Sequence, residues 1–402
     1  MNAPLKILFT HAYFLEEDVN EQKILKPYVP LGILSISAYL QEHGFENEVY
    51  DSTFSSFQKL AEHLFETKPN VIGIYTNLMT KLNVIKLLHF IKQNIPTTKI
   101  ILGGPEVTHH AEKFLKQGAD VIVIGEGEQT MLELCAAVSD TCVSNEAEGV
   151  SDTITNPIKN NFNEAINSIT GIAFLDSKNE LIKTPPREKI KDISTLPFPN
   201  RKKVNLQLYF DAWKNKHCAS AISVSTMRGC PYTCKWCSRA VYGESYRRRS
   251  AAKVAQEIEL LQREYSFDTI WFVDDVFTIS HKWLKEFYNE LNHRKISVRY
   301  ECITRADRMN EEVIQLLKDS GCFRVWIGAE SGSQKVIDAM DRRVDVEQVS
   351  EMIRLSKKNG IEAGTFIMLG YPGEDDEDVK QTLQHLKNSD PDYYTITVAY
   401  PI

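Results

Sequence analysis

The sequence predicts an α/β protein in two parts: a doubly wound parallel sheet, then a run of strand–helix units of the kind that curl into a barrel. Three observations lead there. Short apolar runs and helical stretches alternate five times between Lys6 and Val138, with short connections. The alternation resumes at Ala221 and gives six strands with five intervening helices by Val398. In both parts, Gly or polar residues gather just past the strand ends, where such folds place their ligands.

Each element of the first part follows from local pattern. Ile7-Leu8-Phe9 is a short apolar strand, and Pro30-Leu31-Gly32 opens a helix that Gly44 stops. Glu46–Tyr50, Asn70–Tyr75, Lys99–Leu102 and Val121–Ile124 read as the next strands. The helices between and after them fall at 57–65, 83–95, 112–117 and 129–138. The fourth strand ends in Gly103-Gly104-Pro105-Glu106 and the fifth in Gly125-Glu126-Gly127-Glu128. Glycine there permits close backbone approach to a ligand, or simply a tight turn. From Ser139 to about Asn167 polar residues dominate, which reads as an exposed excursion. A hairpin over 171–182 and the stiff Leu196-Pro197-Phe198-Pro199 complete a linker. The predicted domains are therefore 1–140, a linker at 141–200, and 201–402.

Composition narrows the function. At 402 residues, with 43% hydrophobic and 25% charged residues, the chain is of ordinary globular type. A net charge of −7 argues against a general nucleic-acid-binding surface, tRNA included. There is no run of 18 apolar residues and no secretion signal, so the expectation is a cytoplasmic protein without a membrane span. The eight cysteines then read as reduced thiols.

Three of those cysteines stand apart. In Met227-Arg228-Gly229-Cys230-Pro231-Tyr232-Thr233-Cys234-Lys235-Trp236-Cys237 the spacing is C-x3-C-x2-C, just after the strand Ala221–Thr226. Thiolates this close can converge on one soft inorganic centre. Three ligands leave a [4Fe–4S] cluster one iron open to a non-protein ligand. A zinc site stays open on spacing alone, because His217 and Cys218 lie 13 and 12 residues upstream. Cys135, Cys142, Cys218, Cys302 and Cys322 are scattered and read as plain thiols.

The Cys230–Cys237 stretch, with the aromatic Trp236 before its last cysteine, resembles the signature of the radical S-adenosylmethionine (radical SAM) family. The resemblance implies a [4Fe–4S] cluster on Cys230, Cys234 and Cys237, with SAM chelated to the open iron. It also implies a partial (β/α)6 barrel. By the same resemblance Asp274 and Asp275 contact the SAM amino group, although the family often has Gly-Gly-Glu there. Arg305 stands near the SAM carboxylate, Glu330 and Ser331 at the ribose, and Trp236 at the adenine. Upstream, Pro30-Leu31-Gly32, Gly103-Gly104-Pro105-Glu106 and Gly125-Glu126-Gly127-Glu128 resemble the Rossmann-like cobalamin-binding domain of the cobalamin-dependent, class B methyltransferase-like members. That places Gly103, Gly104, Gly125, Glu126 and Gly127 at the corrinoid. The D-x-H-x-x-G loop that carries a cobalt-ligating His elsewhere is missing. His11, His109 and His110 are expected to be surface histidines. Methylthiotransferases share the architecture, but their N-terminal cluster needs cysteines that are lacking before Cys135.

The implied activity is reductive cleavage of SAM to a 5′-deoxyadenosyl radical, with cobalamin carrying a methyl group to an unactivated carbon. An electron donor such as flavodoxin or ferredoxin is the implied partner. Two other readings stay open: a radical SAM enzyme with a scaffold N-terminal domain, and a non-catalytic cluster- or corrinoid-binding module. Nothing local identifies the substrate, small molecule or peptide. The chain stops just after its sixth barrel strand, so a C-terminal segment that usually shapes the family's substrate pocket is expected to be absent.

Overall fold

The computed structural model describes residues 4–147, 157–238 and 241–399. Parts of the polar excursion, including Glu148-Gly149, and the final Pro401-Ile402 lie outside the described residues. The chain divides into two compact units, residues 1–191 with 195–216, and residues 192–194 with 217–402.

The first unit contains, in chain order, β1 (Ile7–Thr10), α1 (Val19–Ile24), α2 (Leu31–Glu42), β2 (Glu48–Val49), α3 (Phe57–Thr67), β3 (Val71–Tyr75), α4 (Lys81–Asn94) and β4 (Lys99–Gly103). It continues with α5 (Pro105–Lys116), β5 (Val121–Val123), α6 (Gly127–Ala147), α7 (Pro157–Ile166), β6 (Ile172–Leu175), β7 (Leu181–Lys183) and α8 (Leu206–His217). The sheet order is β2-β1-β3-β4-β5-β6-β7. Strands β1 to β5 are parallel, and β6 and β7 are antiparallel additions. The order reverses between β1 and β3, so the ligand-accepting crevice lies at their C-terminal ends.

The sheet forms because its strands are apolar on both faces, as parallel strands covered by helices must be. Ile72, Ile74, Ile100 and Leu102 pack against Leu60 and Leu64 of α3 and Val84, Leu87, Leu88 and Ile91 of α4. Each fully buried aliphatic side chain of this layer contributes on the order of 1.5–3 kcal/mol. Three elements differ from the sequence reading. Strand β2 keeps only two residues, because Asn47 turns back to bond Ser37. Helix α5 starts at Pro105, a residue suited to a first helical turn, several residues before its apolar stripe becomes visible. The hairpin β6–β7 pairs with β5 and extends the sheet, which buries Ile172, Ala173 and Phe174.

The second unit begins with β8 (Ala221–Val224) and a small antiparallel pair, β9 (Met227–Arg228) and β10 (Arg247–Arg248). Then come α9 (Ala251–Glu264), β11 (Thr269–Phe272), α10 (His281–His293), β12 (Tyr300–Thr304), α11 (Glu311–Asp319), β13 (Cys322–Glu330), α12 (Gln334–Ala339), α13 (Val346–Lys358), β14 (Glu362–Leu369), α14 (Asp376–Ser389) and β15 (Tyr393–Val398). The six-stranded sheet runs β15-β14-β13-β12-β11-β8 with every pair parallel, which is an open half-barrel. Register places Ser223, Trp271, Glu301, Arg324, Gly364 and Tyr393 on one face, the other face lying under the helices. On the first of these faces Arg324 bridges Glu301 and Glu362, and Trp326 stacks on Phe366. All six residues of β15 are exposed.

Candidate active site

The cysteine loop joins β9 to β10, so the two-stranded pair is its stalk. Gly229 opens it at φ +78°, a left-handed conformation that favours glycine. A Cβ at that position would lie 2.3 Å from the carbonyl oxygen of Ser245, on the returning arm. The loop is also tied to the segment after α12. The Lys235 N–H donates to the Met340 carbonyl at 3.0 Å, and Thr233 Oγ1 donates to Asp341 at 2.9 Å.

Of the three cysteines, Cys234 is buried, Cys230 is half-buried and Cys237 is exposed. The Cys237 N–H turns back to the Cys234 carbonyl at 3.3 Å, and the Cys237 sulfur lies 3.8 Å from the Ser238 carbonyl oxygen. Among the described residues, no three His, Cys, Asp or Glu form a metal-holding group. Burial raises the Cys230 thiol pKa, the Tyr232 amide lowers it, Asp275 and Cys234 raise it, and Arg305 lowers it. The donor set nonetheless fits a cluster, with three thiols within eight residues, one of them facing a buried cation.

That cation is Arg305, just past β12 and buried. Its Nη1 lies 3.6 Å from Cys234 Sγ, its Nη2 donates to the Arg342 carbonyl at 2.6 Å, and its Nε donates to Asp307 at 2.8 Å. The guanidinium stacks 3.8 Å above the Tyr232 ring. Glu330 ends β13 at φ +67°, where the β13–β14 register shifts. Burial raises its carboxyl, against Arg342 and Arg305, which lower it.

Arg342 has no role in the reading of the sequence. In the fold it is buried, 3.5 Å from Glu330, bonded to the Gly328 carbonyl at 2.7 Å, and 5.3 Å from the Trp236 ring. Its Nε is buried without a hydrogen-bond partner among the described residues. A buried cation with an unsatisfied donor, beside Trp236 and Glu330, fits a zwitterionic, adenine-bearing ligand such as SAM.

The remaining predicted contacts are placed differently. The carboxylate of Asp274 is wholly buried and accepts from the Thr226 N–H at 2.7 Å, the Met227 N–H at 3.2 Å and the Thr226 hydroxyl. Arg248 approaches it at 3.6 Å, and burial raises its pKa despite these partners. Asp274 thus holds the entry to the cysteine loop. Asp275 is exposed at its surface, and partial desolvation and then the neighbouring Asp274 charge raise its carboxyl. The hydroxyl of Ser331 turns towards α14, 3.1 Å from Thr382 Oγ1, and accepts from the Ser333 N–H. The Arg248 side chain is buried against Asp274 and stacks 3.5 Å from Trp283, and the half-buried Arg249 pairs with Glu257.

In the first unit, the C-terminal ends of β1, β3, β4 and β5 meet along one edge. Gly104, at φ +114°, presses against Thr76, whose carbonyl oxygen a Cβ would approach to 2.4 Å. The Thr76 N–H donates to the Gly103 carbonyl at 2.7 Å. Gly125 has open space where a Cβ would stand. Gly127 lets α6 approach Ile36 of α2, and Glu126 turns inward to accept from the Ile190 N–H at 2.9 Å. Tyr75, Leu78, Met79 and Leu82 are exposed at the β3–α4 end of this edge. A glycine cradle beside exposed apolar side chains fits a large, partly apolar ring such as a corrin.

His11 is not a surface histidine: it is only 5% exposed. Its Nε2 lies 3.0 Å from Asp51, and its Nδ1 accepts from the Tyr13 N–H at 3.2 Å. Both ring nitrogens are therefore engaged, and neither is available to a metal. His109 and His110 are exposed, as expected.

Residues 20–135 match the B12 binding domain family and residues 224–386 the radical SAM superfamily. The chain is 26% identical over 380 residues to an uncharacterized methyltransferase of Pyrococcus horikoshii, covering 92% of this chain and 76% of that protein. It is 25% identical over 395 residues to the anaerobic magnesium-protoporphyrin IX monomethyl ester cyclase of Rubrivivax gelatinosus, covering 96% of this chain and 66% of the cyclase. In fold it resembles the radical SAM methyltransferase TsrM from Kitasatospora setae, solved with cobalamin and a [4Fe-4S] cluster. The TM-score is 0.76 at 18% identity, over 100% of this chain and 73% of that one. The chain thus joins a domain matching the B12 binding family to one matching the radical SAM superfamily, and its fold resembles that of cobalamin-dependent radical SAM enzymes.

Proposed function

We propose that this enzyme cleaves SAM reductively at a [4Fe–4S] cluster held by Cys230, Cys234 and Cys237, and uses cobalamin to transfer a methyl group to an unactivated carbon. The observation that carries this reading is the three-thiol loop, braced at the end of the first barrel strand with a buried cation on Cys234. When bound, the cluster supplies one electron for SAM cleavage to the 5′-deoxyadenosyl radical, and cobalamin supplies methyl-carrying chemistry.

The chain's own residues bind, orient and shield. Trp236 offers an aromatic face, Arg342 an unsatisfied cationic donor, and Glu330 an acceptor beside it. Asp274 keeps the loop entry in place without touching solvent. On the first unit, Gly103, Gly104 and Gly125 would let the corrin lie close to the backbone. With both His11 nitrogens engaged, cobalamin would be held without an imidazole from this position. A low-potential donor of the flavodoxin or ferredoxin class would supply the electron.

A second reading is favoured by the cyclase relative, which aligns over 96% of this chain. The same cofactors would then serve ring formation in place of methyl transfer. One experiment separates the two. The protein is reconstituted anaerobically with iron, sulfide and hydroxocobalamin, then given SAM and a one-electron reductant. About four irons and one cobalamin per chain, with both 5′-deoxyadenosine and S-adenosylhomocysteine formed in turnover, support methyl transfer. 5′-Deoxyadenosine without S-adenosylhomocysteine refutes it. Cys234→Ala should lose the cluster and both products.

A further inference from the structure

We infer that Arg305 is a positioning residue for the cluster: it stabilises the reduced state by directing an N–H at the sulfur of Cys234. This rests on the proposed cluster assignment and departs from the SAM-carboxylate role that the family resemblance implies for Arg305.

Arg305 is buried, and each of its three nitrogens has a partner: Asp307 at 2.8 Å, Cys234 Sγ at 3.6 Å and the Arg342 carbonyl at 2.6 Å. The stack on Tyr232, at 3.8 Å, leaves the fork little room to turn. Tyr232 and Cys234 both belong to the cysteine loop, so Arg305 grips that loop from β12. Arginine stays charged at any working pH and is well suited to stacked, forked contacts.

A fixed cation acts differently on the two redox states. Reduction adds one electron to a thiolate-ligated cluster and no proton, so negative charge on its sulfurs rises. Hydrogen bonds to those sulfurs and nearby positive charge favour that state and raise the potential. Asp307, only 2.8 Å from Nε, partly offsets the cation, so its charge should act in the opposite sense. Arg342, by contrast, has an unsatisfied Nε on a guanidinium that lies beside Trp236 and Glu330, which makes it the better placed cation for a carboxylate.

The test is a redox titration of the reconstituted full chain, without SAM, with the reduced cluster followed by electron paramagnetic resonance. In Arg305→Met the reduced fraction at a fixed applied potential should fall about tenfold, a downward shift of about 59 mV for a one-electron couple. SAM affinity should stay within about threefold of the parent. In Asp307→Asn, which keeps an oxygen for Arg305 but removes the opposing charge, the potential should move upward. A purely structural role would not give shifts of opposite sign. If Arg305→Met retains no iron, the Asp307→Asn titration decides: an upward shift supports the inference and no shift overturns it. An Arg305→Met potential equal to the parent's, with SAM binding lost, overturns it and returns Arg305 to the SAM carboxylate. A parent chain that takes up no cluster sinks the cluster assignment as well; a loaded parent with unmoved variants sinks this inference alone.

Discussion

Replacing Asp274 with Ala should unfold the second unit early, before any question of SAM arises. The carboxylate has no exposed surface, and it accepts two backbone N–H bonds, at 2.7 and 3.2 Å, and the hydroxyls of Thr226 and, at 3.5 Å, Ser225. It is also the counter-charge of Arg248, itself 4% exposed in its side chain and 3.6 Å away. Ala leaves a buried guanidinium uncompensated, a loss of about 3–5 kcal/mol. At about 2–4 °C per kcal/mol for a domain of roughly this size, the melting point should drop by about 6–20 °C. Asp274→Asn keeps an acceptor for the Thr226 and Met227 amides. Arg248 also keeps the Phe277 carbonyl at 2.7 Å and its stack on Trp283, so Asn should cost clearly less, about 1–3 kcal/mol. Combining Asp274→Asn with Arg248→Met should cost less than the two changes summed, because the buried charge and its partner leave together. Differential scanning calorimetry on anaerobic protein, with iron content measured in parallel, reads all three. If Asp274→Ala melts within about 2 °C of the parent and keeps its iron yet loses SAM binding, the reasoning fails and Asp274 is a ligand residue.

Three further predictions follow from single contacts. Gly229→Ala forces a left-handed Ala whose Cβ meets the Ser245 carbonyl at 2.3 Å, so cluster iron should fall below half of the parent's; full iron content would contradict the hinge role. Gly104→Ala meets the Thr76 carbonyl at 2.4 Å and should weaken hydroxocobalamin binding at least about tenfold while leaving cluster iron unchanged, read by visible titration. Asp378 is held at about 2 by Lys335 and then Ser333, below the roughly 3.9 of an unfolded carboxyl. Its contribution is therefore present above about pH 4 and lost as pH falls towards about 2. The melting point of Asp378→Asn should fall less than the parent's between about pH 5 and 3.

Much of this was legible in the chain because it depends on short-range pattern. Apolar runs of four to six residues and amphipathic helices repeat with short connections, and parallel sheets covered by helices follow from that. The cysteine spacing is a local fact, as is the glycine at the loop entry. The hairpin β6–β7 was visible as a hairpin, but its pairing with β5 was not, since strand partners are chosen over long range. Helix α8 and the β9–β10 stalk escaped notice: a two-residue strand has no periodicity to read.

Side-chain destinations at strand ends depend on the parity of one residue, which sequence does not settle. Glu330 turns to Arg342, while Ser331, its neighbour, turns to α14. Asp274 and Asp275 divide in the same way, one buried on Thr226 and the other exposed. Arg342 gave no signal, because a paired arginine looks alike whether it is solvated or buried. His11 looked like a surface residue until Asp51, forty positions away, was found beside it. The sequence by itself determined the fold class, the three thiols and the glycine-bearing edges, through local periodicity and spacing. Only the tertiary structure decided which cation faces a cysteine, which is left with an unsatisfied donor, and which carboxylate holds the loop. Those outcomes are set by burial and by partners that chain distance keeps apart until the fold closes.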